Sequence, residues 1–138
     1  MLFSTIFSKR TPVRIGFEDM LDIIRTPAKY VILNTLGMSE QGCLLRGTLA
    51  AEQEESVINQ MINDAGNSKT VVVYGRNSAD DSVDKKYRQL ISHGLTDVLV
   101  YSGGLFEWLL LQDIYGDTEF PTTSKTPDLL QYRCLKKL

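Results

Sequence analysis

Few side chains of this sequence can act as nucleophiles, bases or metal ligands. Cys43 and Cys134 are the only cysteines and lie far apart, and His93 is the only histidine. This spacing fits neither a zinc site nor a disulfide framework, so we expect no metal, no cofactor and a reducing, cytoplasmic compartment. Only Arg46 is close enough in sequence to favour a thiolate at Cys43, which is therefore expected to be a structural thiol. His93 is expected to be a solvent-facing residue at a helix end.

One polar segment combines a cation, two acids and small side chains directly after an apolar run. We predict that it is an exposed loop, because it separates a strand from a helix and loops at strand ends commonly bind ligands. Its mixed charge suits a basic or polar protein segment better than a phosphorylated one. The acids and the serine are also predicted to cap the following helix. The candidate binding loop is Gly75, Arg76, Asn77, Ser78, Ala79, Asp80, Asp81 and Ser82.

Short apolar runs rich in β-branched residues predict the strands around this loop. Val71 to Tyr74 and Val98 to Tyr101 have the composition of buried strands. Tyr30 to Leu33 forms a third strand, and a weaker fourth is predicted around Thr48 to Ala50 after Gly47.

Apolar residues at helical spacing alternate with these strands. The helical segments are Phe17 to Ile24, Val57 to Ile62, Val83 to Ile91 and Leu105 to Leu109, and Gly94 suits a left-handed helix end. Strands that alternate with helices predict βαβ units, and therefore a small α/β sandwich with a mostly parallel sheet. We predict an N-terminal arm over residues 1–12, a domain over 13–115 and an extension over 116–138 that packs on the domain.

The overall composition excludes several classes of protein. A chain of 138 residues with 43% hydrophobic content builds one core, and its net charge of -2 with interspersed charges does not favour nucleic-acid binding. The sequence has no apolar run of about 18 residues, so no membrane-spanning helix is expected. The N-terminal arm carries basic and apolar residues in the manner of an organelle transit peptide or surface anchor, but a mobile or docked arm is the preferred interpretation.

The order of these parts resembles the rhodanese-like family. The strand Val71 to Tyr74, its loop and the helix behind it are similar to that family's active-site segment. The parts that follow are also similar to the family: His93-Gly94-Leu95, the strand Val98 to Tyr101, Gly103-Gly104 and Trp108. Upstream, Phe17 to Leu33 and Arg46 to Leu49 resemble the family's first helix and first two strands. This resemblance implies a three-layer fold with about five strands, in which Gly103, Gly104 and Trp108 serve structure.

The same resemblance implies what this loop lacks. Rhodaneses and related dual-specificity phosphatases place a cysteine directly after the central strand, and loop N–H groups stabilise its thiolate and hold the anionic substrate. Gly75 stands at the cysteine position here, and Asp80 or Asp81 stands where the family often carries an arginine. The resemblance therefore implies a degenerate, non-catalytic member that binds a protein partner.

Two alternatives stay open. The first is a sulfurtransferase or phosphatase that uses Cys43 or Cys134 from elsewhere in the chain. The second is a structural component of a larger assembly, attached through the apolar terminal arms. Residues Leu111 to Gly116 and Phe120 to Thr123 are similar to extensions of rhodanese-like proteins of large DNA viruses and protists. This similarity leaves a virion open as the location, and the N-terminal arm leaves an organelle open.

Overall fold

The computed structural model describes residues 11–64 and 69–138. In these ranges the chain forms a four-stranded parallel sheet with the order β1-β4-β3-β2. The strands are β1 (Val13–Ile15), β2 (Tyr30–Asn34), β3 (Thr70–Tyr74) and β4 (Val98–Tyr101). The helices are α1 (Phe17–Ile24), α2 (Ala51–Asn63), α3 (Ser82–Ser92) and α4 (Gly104–Tyr115), with short 3-10 helices at Met38–Glu40 and Leu129–Tyr132.

The central strand β3 is buried on both faces, as its β-branched run predicts. Val72 and Tyr74 face one apolar cluster, which they share with α1 and α4. Val71 and Val73 face the opposite cluster, which they share with α2 and α3. The alternation follows the two-residue period of a strand, so each face of the sheet carries its own helical layer. The predicted three-layer α/β fold is confirmed.

The strand prediction was partly wrong at the edges of the sheet. The segment around Thr48 does not form a strand but contributes one isolated parallel bridge to Ile32, so the described part of the chain forms four strands rather than about five. The first strand, Val13–Ile15, was not predicted, because three residues are too few to show a periodicity. It pairs with β4 through Val13 and Leu99. Most of the predicted N-terminal arm, residues 1–10, lies outside the described residues.

The predicted helices and turn glycines are present. Gly94 follows α3 with a φ of 102°, the left-handed conformation that suits a glycine at a helix end. The last helix, α4, is longer than its predicted segment and runs to Tyr115. Trp108 on this helix is fully buried, as expected. None of the described helices has the length and apolarity to span a membrane.

Part of the C-terminal extension belongs to the core. Phe120 is buried, and its ring lies 5.0 Å from the ring of Trp108 in an edge-to-face arrangement. The Trp108 indole N–H donates to the Pro121 carbonyl at 3.2 Å. Thr122 forms an antiparallel bridge with Leu45. The extension is therefore fastened to the domain by side-chain and main-chain contacts.

Candidate functional site

The candidate site is the predicted loop, which connects β3 to α3 at the middle of the sheet. β2 and β4 lie on either side of β3. The Thr35 N–H, directly after β2, donates to the carbonyl of Tyr74 at 3.0 Å. Because parallel strands end at the same edge of a sheet, residues that follow β2, β3 and β4 meet around this loop.

Gly75, the first residue of the loop, is buried and has no room for a side chain. A Cβ built at this position would lie 2.5 Å from Asp80 Oδ2, 2.5 Å from Val83 Cγ2 and 2.9 Å from Thr35 Oγ1. These separations are shorter than van der Waals contact, so any other residue would force its neighbours to move. The position at which the family resemblance places a nucleophile is therefore closed.

The Asp80 carboxylate lies on the inner side of the loop. Its Oδ2 accepts a hydrogen bond from the Arg76 N–H at 2.9 Å. Its Oδ1 accepts from the Ser82 N–H at 3.0 Å and lies 2.6 Å from the Ser82 hydroxyl. N–H groups at a helix N-terminus and in the loop before it favour a bound anion. In this loop the anion is a carboxylate of the chain itself.

Asp80 rather than Asp81 has the predicted capping role. Asp81 is the residue that precedes α3, but its side chain makes no capping hydrogen bond. Asp81 is exposed together with Ser78 and Ala79, whereas Asp80 is only partly exposed. The outer rim of the loop is therefore formed by these three exposed residues.

The Arg76 side chain is engaged by residues outside the loop. Its guanidinium forms an ion pair with Glu40 and donates to the carbonyl of Gln131. It also lies over the ring of Tyr132, 5.3 Å from the ring centroid. Through these contacts the Arg76 guanidinium binds both the 3-10 helix Met38–Glu40 and the C-terminal 3-10 helix Leu129–Tyr132. Arg76 is therefore held by the protein itself and is not a free anion clamp.

Asn77 links the loop to the same C-terminal segment. Its Oδ1 accepts from the Ala79 N–H at 2.9 Å, and its Nδ2 donates to the Tyr132 carbonyl at 2.9 Å. The Tyr132 side chain is buried against the core cluster that contains α4. The C-terminal 3-10 helix therefore packs against the Arg76 and Asn77 side of the loop.

The backbone of the loop is held by the first turn of α4. The Leu105 N–H donates to the Gly75 carbonyl at 2.9 Å, and the Phe106 N–H donates to the Arg76 carbonyl at 2.8 Å. Gly104 has a φ of 68°, and a Cβ there would lie 2.7 Å from the Gly75 oxygen. Only glycine combines this conformation with so close an approach of two backbones. The predicted structural role of Gly104 is confirmed.

Cys43 is not part of the loop. The thiol is buried and donates to the Ser124 carbonyl at 3.2 Å, in the extension. Burial raises the pKa of the Cys43 thiol, and hydrogen bonds with Thr122 and Ser124 oppose this only partly. A thiol in this state is a poor nucleophile at neutral pH.

The remaining candidates for chemistry lie apart from one another. Cys134 is exposed near the C-terminus. His93 is exposed and directly follows α3, where its backbone N–H donates to the carbonyls of Gln89 and Leu90. Across residues 11–64 and 69–138, no group of three or more histidine, cysteine or acidic residues is arranged to hold a metal ion.

Sequence analysis missed the partners that engage the loop. Glu40 and Gln131 bond Arg76 across separations of 36 and 55 residues, and Tyr132 lies beside them. No local pattern signals such contacts. The one local signal that could have indicated packing of this segment is its apolar composition, with Leu129 and Leu130 before Gln131 and Tyr132.

Comparison with protein families gives one result. The model of the rhodanese-like domain matches residues 25–111. The matched segment includes β2, α2, β3, the loop, α3 and β4, and most of α4. No curated protein matches the chain significantly.

Solved structures with a similar fold include proteins from two bacteria. A protein from Lactobacillus plantarum matches with a TM-score of 0.56 and 22% identity, over 80% of this chain and 90% of that one. A protein from Bacillus halodurans matches with a TM-score of 0.58 and 12% identity, over 78% of each chain. At these identities the likeness shows the fold alone.

Proposed function

This chain belongs to the rhodanese-like domain family, and we propose that it is a non-catalytic member that acts as a protein-binding module. One observation carries the proposal: the place of the nucleophile is held by Gly75 and by the carboxylate of Asp80. The module comprises the domain over residues 13–115 with the extension 116–138 packed on it. We also propose a reducing compartment such as the cytoplasm, in which Cys43 and Cys134 stay free thiols.

The loop lacks both features that the family resemblance implies for catalysis, namely a nucleophilic side chain and free N–H groups that hold an anionic substrate. Transfer of sulfur or phosphate through an enzyme intermediate needs a nucleophilic side chain, and Gly75 has none. The Arg76 and Ser82 N–H groups, which could hold an anionic substrate, already donate to Asp80. A second anion at this position would meet the Asp80 charge at short range and without a compensating cation.

The relocated-cysteine alternative has less support. Cys43 is buried with a raised thiol pKa, and no hydrogen bond in the described part of the chain joins it to residues 75–82. Cys134 is exposed in an irregular segment, where its thiol lies 3.9 Å from the Leu135 carbonyl and the guanidinium of the preceding Arg133 donates to the Leu130 carbonyl. A catalytic cysteine needs a cation, a helix N-terminus or a base that favours its thiolate.

The structural-component alternative is favoured by one feature of the extension. Leu130, Leu135 and Leu138 are 52%, 66% and 104% exposed, in a segment that also carries Arg133 and two lysines. Exposed leucines in a terminal segment suit attachment to another surface. Deletion of residues 133–138 should therefore abolish attachment through the extension but leave binding through the loop intact.

Activity assays on the full chain test the non-catalytic proposal. We expect no thiosulfate sulfurtransferase activity and no phosphatase activity on an aryl phosphate. Turnover that disappears in Cys43→Ser or Cys134→Ser would overturn the proposal and move the active site to that cysteine.

Binding assays test whether the loop is the contact. Partners captured from the native source by wild type are compared with those captured by Asp80→Ala/Asp81→Ala. We expect the double variant to lose them, at a cost of about 1 kcal/mol in stability from lost capping. The single variant Asp81→Ala is the sharper probe, because this side chain is exposed and makes no capping bond. Partners that survive both variants but are lost when residues 1–10 or 133–138 are deleted would assign the interface to the termini.

A further inference from the structure

An open groove lies between α2 and α3, on the face of the sheet opposite the C-terminal 3-10 helix. Its volume is about 810 Å³, which is within the range of about 300 to 1,000 Å³ that ligand sites usually have. One face of α2 and one face of α3 form the sides of the groove. The segment after β2, residues 35–41, closes the end of the groove that lies next to the loop, which we call its upper end. The loop thus has one side covered by the chain's own extension and another side that leads to an open groove.

The two walls of the groove carry opposite charge. The α2 wall presents Glu54 and Glu55, and the α3 wall presents Lys85 and Lys86. Glu54 and Lys86 form an ion pair across the groove, with side-chain exposures of 16% and 25%. Glu55 and Lys85 are exposed, one on each wall. A ligand in the groove therefore meets an acidic side and a basic side at the same time.

The base of the groove is apolar. Leu36, Ile58 and Leu90 are buried residues that line it. Met38 lies at its rim and is 78% exposed. An exposed, unbranched methionine adapts to the shape of a bound side chain and is common at protein-binding surfaces. An apolar base between polar walls is the arrangement that holds one apolar side chain of a peptide and orients its neighbours.

The upper end of the groove is connected to the loop. Thr35 and Ser82 line the groove, and their hydroxyl oxygens lie 2.8 Å apart. The same Ser82 hydroxyl lies 2.6 Å from Asp80 Oδ1. A ligand in the groove would therefore lie beside the polar network that closes the position of the family's nucleophile.

We propose that this groove binds a short segment of a partner protein, in which an apolar side chain lies between an acidic and a basic side chain. The acidic side chain faces Lys85 on α3, the basic one faces Glu55 on α2, and the apolar one contacts Ile58 and Leu90. This inference rests on the proposed function as a binding module and extends the partner's contact from the loop into the adjacent groove.

Selection of displayed random peptides on the full-length protein tests the groove. We expect enriched peptides with an apolar residue between charges of opposite sign. Their affinity should fall about tenfold or more for Lys85→Glu/Glu55→Lys, since two attractive contacts become repulsive. Peptides with the two charges exchanged should then bind the charge-swapped variant better than the wild type. Arg88→Glu/Glu52→Lys is the matched control, because these exposed residues lie on α3 and α2 but do not line the groove.

Three results would overturn the groove proposal. No enrichment means that the groove does not capture peptides. Enriched peptides that bind wild type and the charge-swapped variant equally do not use its walls. Enriched peptides that lose affinity only for Asp81→Ala use the rim of the loop, which would leave the binding function standing and remove the groove from it. The sulfurtransferase and phosphatase assays decide the non-catalytic proposal separately.

Discussion

The guanidinium of Arg76 lies over the ring of Tyr132, so a residue of the candidate binding loop is bound to the C-terminal extension. Glu40 and the Gln131 carbonyl complete its surroundings. Arg76, the only cation of the loop, therefore connects the loop to the 3-10 helix that contains Glu40 and to the C-terminal 3-10 helix. This structural role can be tested without any ligand.

Arg76→Ala should loosen the C-terminal 3-10 helix. Loss of the cation–π contact and of the charged hydrogen bonds removes about 1 to 2 kcal/mol of local stability. The backbone N–H groups of Gln131 and Arg133, which donate to Asp128 and Leu130, should then exchange with solvent about tenfold faster. Arg88→Ala, at an exposed position on α3, is the control and should leave these rates unchanged. Equal exchange in both variants would mean that the apolar packing of Tyr132 alone holds the segment.

Gly75→Cys should destabilise the protein and should not create an enzyme. The new Cβ would lie 2.5 Å from Asp80 Oδ2 and from Val83 Cγ2, so we expect a loss of about 1 to 3 kcal/mol in the free energy of unfolding. The neighbouring carboxylate disfavours a thiolate. In a background without Cys43 and Cys134, the introduced thiol should react no faster than a free cysteine at neutral pH. Fast alkylation or measurable sulfur transfer would contradict this.

A double-mutant cycle identifies the cause of that destabilisation. Gly75→Ala adds the same Cβ without sulfur, and Asp80→Ala removes the carboxylate that it would meet. If the contact is the cause, the two substitutions together should cost less than the sum of their separate costs. Additive costs would show that Val83 and Thr35, rather than Asp80, close the position.

The two cysteines should differ strongly in reactivity. Cys134 is exposed, whereas Cys43 is buried and burial raises its thiol pKa. With a thiol reagent at neutral pH, one equivalent should react quickly and disappear in Cys134→Ser. The second should react only slowly or after unfolding. Fast labelling of Cys43 in the folded protein would revive the relocated-nucleophile alternative.

The stability of the protein should fall at alkaline pH because of Tyr74. Burial raises the pKa of its phenol, whose oxygen accepts from the Leu45 N–H at 3.1 Å and lies 2.7 Å from Thr48 Oγ1. The unfolded chain ionises near the ordinary tyrosine value of about 10, while the folded one stays protonated. The free energy of unfolding therefore decreases as the pH rises above that value.

Denaturant unfolding at increasing pH measures this effect. Tyr74→Phe should be less stable at neutral pH by about 1 to 2 kcal/mol from lost hydrogen bonds, but its stability should fall less steeply above pH of about 10. Some slope should remain, since burial and a hydrogen bond with Glu107 also raise the pKa of Tyr101. Tyr115→Phe, at an exposed position, should retain the full slope. Identical slopes for all three proteins would exclude Tyr74 as a cause.

The parts of the fold that could be predicted are those with a local signal. The β-branched run Val71 to Tyr74 predicted a strand, which is β3, and the helical spacing that includes Val83 and Tyr87 predicted a helix, which is α3. Strand Val13–Ile15 was missed, because its three residues form a strand only through pairing with β4. The strand predicted at Thr48 is absent because this segment pairs with β2 through only one bridge, to Ile32.

The site was predictable in its composition but not in its contacts. The sequence shows Gly75 where the family resemblance places a nucleophile, and it shows the acids at the end of the loop. Asp80 turns inward because the Arg76 and Ser82 N–H groups converge on its carboxylate, whereas Asp81 remains exposed. This convergence depends on the folded path of the loop and cannot be predicted from the sequence. The contacts of Arg76 depend on a segment 55 residues away, which sequence patterns do not connect to the loop.

The close approach of Gly104 to the Gly75 carbonyl has a consequence for how such a protein can diverge. The path of the loop is held by main-chain hydrogen bonds to Leu105 and Phe106 and by a glycine that leaves room for them. Side chains at the exposed positions 78, 79 and 81 do not take part in this support. Point substitutions there can change the surface that the loop exposes while its shape persists, so homologous chains can diverge at this surface without losing the fold.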